Sequence, residues 1–338
     1  MATLKRWVLR RRPQGEIQPG DLELVEEPIR DLADGEVLVR TLYLSLDPTN
    51  RIWMSDQDQY MPPVEIGDTM RGGSIGVVER SRSDRFKQGD VVNTGLGGWS
   101  THVIAPGAAL FPTPTLPGVP LTAYMSVLGA TGLTAWFGLC EIGKPQPGET
   151  VVVSAAAGAV GSIVGQVAKL KGARVIGIAG GKAKCDWLTG ELGFDGAIDY
   201  KHEDVGAALD RLCPNGIDVN FENVGGDIMD AVVSRMNNFG RMPLCGMIST
   251  YNDNDRPAGP TDFARVLMHR LTIRGFIITD FLPRAGEAMA ELIPWVLAGQ
   301  IKWKVHVDQG LEGAMDSLRR LFTGNHDGKL LIQVSPEP

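Results

Sequence analysis

A small-residue loop, a pair of lysines and two tyrosines are the residues of this sequence whose types and spacing could do chemistry. The loop lies in 151-VVVSAAAGAVGSIVGQVAKLKG-172. β-Formers run into small residues, and an apolar-periodic segment follows. Laid on the spacing G-x-G-x-x-G, the slots fall on Ala156, Gly158 and Gly161, so the first glycine is replaced by alanine. Gly158 would let the backbone approach a pyrophosphate, and Gly161 would let helix and sheet pack closely. The helix N-terminus adds N–H donors and a partial positive charge. Together these are the parts of a dinucleotide site. An NAD site places an acid about 20 residues on, at the end of the second strand, to bond a ribose hydroxyl. Here that strand ends in Gly180, Gly181, Lys182 and Lys184. Lysines attract a 2′-phosphate as point charges. At a helix start they oppose the dipole, which a bound anion would offset. The strand end therefore favours NADP(H).

Tyr60 sits in the polar loop 55-SDQDQYMPP-63, and Tyr251 in 249-STYNDNDRP-257 after a strand end. A phenol O–H placed there can donate to an oxygen that gains negative charge. A half-buried surface ring is the plainer reading of both. Tyr43 reads as strand core, His102 as structural, and Trp136 and Phe137 as helix core. The four cysteines, Cys140, Cys185, Cys213 and Cys245, form no CxxC pair and read as free buried thiols. No cysteine precedes Cys140, and His102 is the only histidine before it. That leaves no zinc ligand set in the first third of the chain. Without a Lewis acid, an activated C=C is easier to reduce than a carbonyl. Hydride adds to the β-carbon, and one hydrogen-bond donor can hold the enolate oxygen. A cofactor ribose hydroxyl offers a second donor.

The elements that must position these residues follow from pattern. The 338 residues allow two domains. Residues 1–120 read as β, with strands at 36–46, 74–79 and 89–95. From 125 to 280, strands at 151–154, 173–180, 196–200, 217–222 and 241–246 alternate with helices at 158–171, 182–192, 203–212 and 227–237. That rhythm predicts a parallel sheet with crossover helices. In helix 158–171, Val160, Ile163, Val164, Val167 and Leu170 share a face, and Gly172 takes the left-handed position after it. The tail returns with helices at 284–298 and 310–322 and a strand at 329–335 that needs a sheet to join.

Net charge is −7, which argues against a nucleic-acid surface, and Arg10, Arg11 and Arg12 read as a solvated strand end. The 19 uncharged residues from Thr150 to Ala168 are broken by Gly and Ala and read as a soluble buried segment. The basic N-terminus lacks the apolar stretch of a signal peptide. These features predict a cytoplasmic protein.

The chain resembles the zinc-free branch of the medium-chain dehydrogenase/reductase superfamily, in particular the prostaglandin, alkenal and curcumin reductases. The matching stretches are 44-LSLDP-48, 62-PPVEIGDTMRGG-73, 128-LGATGLTAWFGL-139, 155-AAAGAVGSIVGQVAKLKG-172, 221-FENVGG-226, 245-CGMISTYN-252 and 324-GNHDGK-329. The resemblance implies an α/β chain: a GroES-like β-barrel-type substrate domain (1–124 and 304–338) and an NADP-binding Rossmann domain with a doubly wound parallel sheet (125–303). It implies that Ala157, Gly158, Ala159, Val160 and Gly161 flank the pyrophosphate, and that Gly181, Lys184 and Tyr200 lie at the 2′-phosphate. Asn223 would sit by the nicotinamide-side ribose. Cys245, Gly246, Ile248, Ser249 and Tyr251 would line the cleft, and Phe276, Ile277 and Ile278 would back the nicotinamide. His326 stands where the family has Asn, and Thr49 where relatives have Tyr. The expected activity is NADPH-dependent reduction of enals and enones by a homodimer. A quinone reductase or secondary-alcohol oxidoreductase on the same scaffold, and a non-catalytic NADPH-binding protein, stay open at this point.

Overall fold

Short apolar-rich runs separated by Gly, Pro and Asp become antiparallel strands in the first third of the chain. The computed structural model describes residues 2–253 and 259–338. By contacts the chain divides into two units. The first comprises Met1–Met125, Val305–His326 and Leu330–Pro338, and the second Ser126–Lys304 and Asp327–Lys329.

In the first unit, β1 (Thr3–Leu9) and β2 (Leu22–Pro28) pair antiparallel. Next come β3 (Glu36–Ser45), the short helix α1 (Thr49–Trp53), β4 (Ser74–Ser81), β5 (Val91–Asn93), β6 (His102–Pro106) and β7 (Phe111–Pro112). The strand read at 89–95 is thus shorter, and the one at 74–79 longer. β3 lies between β4 and β6, antiparallel to both, and its inward Val37 and Val39 pack with Val78, Val92, Val103 and Leu110. Gly76 is needed there, because a Cβ would lie 2.4 Å from the Arg40 carbonyl oxygen. Arg10 and Arg11 are ion-paired to Glu23 and Asp21, and Arg12 donates to the carbonyls of Met54 and Val64.

The second unit holds α2 (Ala130–Phe137), β8 (Thr150–Val153), α3 (Gly161–Leu170), β9 (Arg174–Ala179), α4 (Lys182–Gly190), β10 (Gly196–Asp199), α5 (Val205–Leu212), β11 (Ile217–Phe221), α6 (Gly226–Val233), β12 (Met236–Leu244), α7 (Ala264–Met268), β13 (Thr272–Gly275) and α8 (Ala285–Leu297). Its six strands run parallel in the order β10-β9-β8-β11-β12-β13. From β8 the chain winds outward through β9 and β10, then crosses back to begin again at β11. The reversal between β8 and β11 is where such sheets bind ligands. β8 is buried on both faces, as its unbroken valines require.

Three expectations need correction. Helix α3 begins at Gly161, not 158, because residues 154–160 form a turn in which Ala155 takes φ +48°. Leu170 is 39% exposed and does not belong to the buried face. β12 starts at Met236, five residues early, and ends helix α6 at Val233. A left-handed Phe239 (φ +65°) breaks the register with β11 and lets the strand take in Asn237 and Asn238. Gly172, at φ +85°, does follow α3 as expected.

The tail supplies β14 (Val305–Gln309), α9 (Ala314–Thr323) and β15 (Lys329–Gln333). The helix read at 310–322 is a short 3₁₀ turn, Leu311–Gly313, followed by α9. β15 joins the first unit's sheet antiparallel to β3, with Leu331 opposite Ser45. All four cysteines are free, but only Cys213 is fully buried.

Candidate active site

Three turns at the carboxyl ends of the parallel strands carry the candidate residues of the second unit. The first runs from Ser154 to Val160. Its tight bend falls on Ala155, a non-glycine left-handed residue that costs about 1–2 kcal/mol. Ala156 is wholly buried and packs where a Cβ on Gly177 of β9 would lie only 2.8 Å from its own. A Cβ on Gly161 would lie 2.5 Å from the Ala155 carbonyl oxygen, so this glycine sets the helix close to the turn. A Cβ on Gly158 would meet only that same oxygen, at 3.1 Å, and otherwise face open space. Ala157 is buried, whereas Ala159 and Val160 are half-buried. Gly158 also bridges to Gly328 from the tail.

The second cluster lies at the ends of β9 and β10. Gly181 takes φ +100° and donates its N–H to Asp199 at 2.7 Å. A Cβ on Gly180 would meet the Tyr200 ring at 3.0 Å and Lys201 Cε at 2.9 Å, so both side chains lie across this glycine. Lys184, in the first turn of α4, joins them. Burial, with the Lys201 charge behind it, lowers the Lys184 pKa against the pull of Asp327. Burial works against the Asp199 charge, but the Gly181 N–H, the His202 ring and the Lys201 N–H together hold its pKa down. Lys182 is different: it reaches outward to Asp186. A half-buried lysine beside a second lysine and a phenol is a surface shaped for an anion. Sequence reasoning missed Lys201, whose only signal is its place directly after Tyr200.

The third turn joins the ends of β11 and β12. Asn223 donates its backbone N–H to Ser154 Oγ at 2.8 Å and its amide to the Ser154 carbonyl at 2.7 Å. Glu222, wholly buried, accepts from Ser154 Oγ and from the N–H groups of Val224 and Gly225. Both Glu222 and Ser154 escaped sequence reasoning except as letters of a motif. The N–H groups of Cys245 and Gly246 donate to the Glu222 carbonyl, that of Ile248 to Asn223 and that of Ser249 to Val224. This pins residues 245–249 onto the β11 turn. Burial first, then the Glu222 charge, push the Cys245 thiol up to about 12, which leaves it unreactive. The Tyr251 phenol oxygen folds back over Gly246 and accepts the Met247 N–H at 3.0 Å. A phenol can accept one hydrogen bond and donate another.

Phe276 opens the segment expected to back the nicotinamide. Its ring is buried against Phe221 and Phe281, so only its backbone could face a ligand. Ile277 and Ile278 are half-buried at the start of a 3₁₀ turn.

In the first unit, the Tyr60 hydroxyl accepts Trp53 Nε1–H at 2.9 Å. Burial raises its pKa, so the phenol stays neutral and keeps its proton. Arg71 stacks over Trp53 at 5.7 Å and donates to the Pro62 carbonyl. Thr49 also bonds Tyr60. His326 lies with Nδ1 3.3 Å from the Arg320 carbonyl. His102 is held between Thr101 and Glu79 on a paired strand, and Tyr43 is buried with its hydroxyl on Glu337. Among the described residues, no group of three or more His, Cys, Asp or Glu is gathered as for a metal ion. Among them too, no helix is long and apolar enough to cross a membrane.

Comparison with known proteins agrees with this architecture. Residues 5–113 match a family described as the N-terminal domain of oxidoreductase, and residues 159–297 one described as zinc-binding dehydrogenase. The chain is 42% identical over 336 residues to the NADPH-dependent curcumin reductase of Escherichia coli, covering 98% of this chain and 97% of that one. It is 38% identical to the NADP(+)-dependent 2-alkenal reductase of Nicotiana tabacum, covering 98% of each. The structure of CurA in complex with NADPH from Vibrio vulnificus superimposes with a TM-score of 0.93 at 42% identity, covering 98% of this chain and all of that one. With identity of this order along nearly its whole length, and with one parallel dinucleotide-type sheet and one antiparallel unit, the chain belongs to the medium-chain dehydrogenase/reductase superfamily, in the group of the curcumin and alkenal reductases.

Proposed function

We propose that this protein is an NADPH-dependent reductase of the activated C=C of α,β-unsaturated aldehydes and ketones. The observation that carries the reading is the joining of an anion-shaped Lys184–Tyr200–Lys201 cluster to a glycine turn open at Gly158. The residues fit the cofactor. Ala157–Gly161 would hold the pyrophosphate, Lys184, Lys201 and Tyr200 the 2′-phosphate, and Asn223 the nicotinamide-side ribose through its free amide oxygen. Residues 245–251 and 276–278 would line the nicotinamide half. NADPH, the cofactor of the Escherichia coli curcumin reductase and of the Vibrio vulnificus CurA complex, supports the same reading.

When bound, the cofactor supplies the hydride. The chain's task is to hold the oxygen on which charge then develops. Tyr251 is the first candidate donor, because it stands on the turn fixed to β11 and its oxygen is already oriented by an N–H. Tyr60 is the second; it is 41% exposed, and its pKa is raised from an already high value, so its phenol carries a proton to donate. Such donors act mainly in the transition state.

We also propose a homodimer. β13 ends the sheet order and is exposed at three of its four residues, while Phe239, Leu267 and Met268 nearby are each more than 60% exposed. An unpaired edge beside apolar side chains invites a second copy. NADPH absorbance followed with an enone, an enal and a quinone tests the activity: turnover fastest on the enone or enal supports it, and none on any substrate leaves only binding.

A further inference from the structure

Glu222 follows β11 at the point where the strand order reverses. It is wholly buried, and no Lys, Arg or His among the described residues stands within ion-pair distance of it. Four hydrogens point at its carboxylate. Ser154 Oγ, Val224 N and Gly225 N lie 2.9, 2.7 and 2.9 Å from one oxygen, and Asn220 Nδ2 2.9 Å from the other. Every partner donates, which complements an ionised carboxylate. A buried charge without a counter-ion is rare and costly.

Geometry alone does not require that charge. Asn220 Oδ1 is buried and without a partner. A glutamine at 222 could keep three donors on its oxygen and give its amide N–H to Asn220, once the Asn220 amide turned over. Something else must use the negative charge. The anion-shaped cluster lies at the ends of β9 and β10, so a bound dinucleotide runs from there across the glycine turn. Its nicotinamide half then lies over the ends of β11 and β12. This step rests on the cofactor reading above.

We propose that Glu222 is a positioning residue that acts through its field. Its buried charge favours the oxidised, cationic nicotinamide over the neutral reduced one and so makes bound NADPH the stronger hydride donor. A mechanical role for the turn would change the affinity for both forms equally. A field changes their ratio.

The test is calorimetric Kd values for NADP⁺ and NADPH on the full chain, with no substrate present. Glu222→Gln is expected to weaken NADP⁺ by about tenfold relative to NADPH, the order given by one charge acting across a partly screened interior. Glu222→Asp keeps the charge, so the ratio should hold within about twofold even if both affinities drop. An unchanged ratio in Glu222→Gln, with a cooperative melt showing it folded, overturns the proposal. If that variant does not fold, Ser154→Ala removes one hydrogen from the carboxylate and exposes more of its field. It should then shift the ratio toward NADP⁺ by about twofold, and equal losses for both forms would overturn the idea. Wild type that binds neither form would instead remove the cofactor reading itself.

Discussion

Tyr251 and Lys184 divide the work at the scale of single residues. Tyr251→Phe keeps the ring and removes only the hydroxyl. Losing one oxyanion donor costs about 2.7–4 kcal/mol in typical cases, but a ribose hydroxyl can share the load here, so turnover should fall roughly ten- to a hundredfold. The NADPH dissociation constant should hold within about twofold, since the donor acts on the transition state. Pre-steady-state rates with an enone check this, and an unchanged hydride-transfer step removes Tyr251 from the mechanism. Lys184→Ala should raise the Michaelis constant for NADPH by about one to two decades and leave that for NADH nearly unchanged, as for a lost charge-assisted contact. Lys201 is more exposed, and its loss should cost less, about threefold. Because burial and then Lys201 lower the Lys184 pKa, its positive charge is lost earlier than an ordinary lysine's as pH rises. The preference for NADPH over NADH should therefore weaken on the alkaline side, read from paired saturation curves.

At the scale of elements, two glycines of one turn make different predictions. Gly161→Ala drives a methyl into the Ala155 carbonyl, so backbone must shift, and stability should fall by about 1–3 kcal/mol. Gly158→Ala meets little protein, so stability should barely change, but its methyl stands where the backbone would approach a ligand. NADPH affinity should fall in that variant alone of the two without a matching loss of stability. Thermal melts with and without NADPH separate the cases. The parallel alternation was legible because strands buried on both faces and helices with one apolar stripe leave different periods in sequence. Element ends were less so. α3 starts late because Ala155 bends backward, and β12 starts early because Phe239 does, and neither residue type announces a left-handed backbone. The side-chain web of Ser154, Glu222 and Asn223 was hidden for another reason: it joins residues 68 and 69 positions apart.

The whole molecule raises the question of its edge. If β13 pairs with a second copy, light scattering should report twice the 36.4 kDa chain mass. The pair Leu267→Glu and Met268→Glu should then shift it toward the single chain without lowering the melt of the monomer, because both side chains are exposed there. A wild-type mass of one chain would refute the pairing.

The proposed activity is the reduction of an activated double bond by a phosphate-bearing nicotinamide cofactor. Its most direct test is NADPH consumption at 340 nm with a simple enone, the product identified by mass and NMR. The expected product is a saturated ketone with the cofactor's hydride at the β-carbon and a solvent-derived proton at the α-carbon, formed with NADPH far faster than with NADH. An allylic alcohol as product, or an equal rate with NADH, would contradict it.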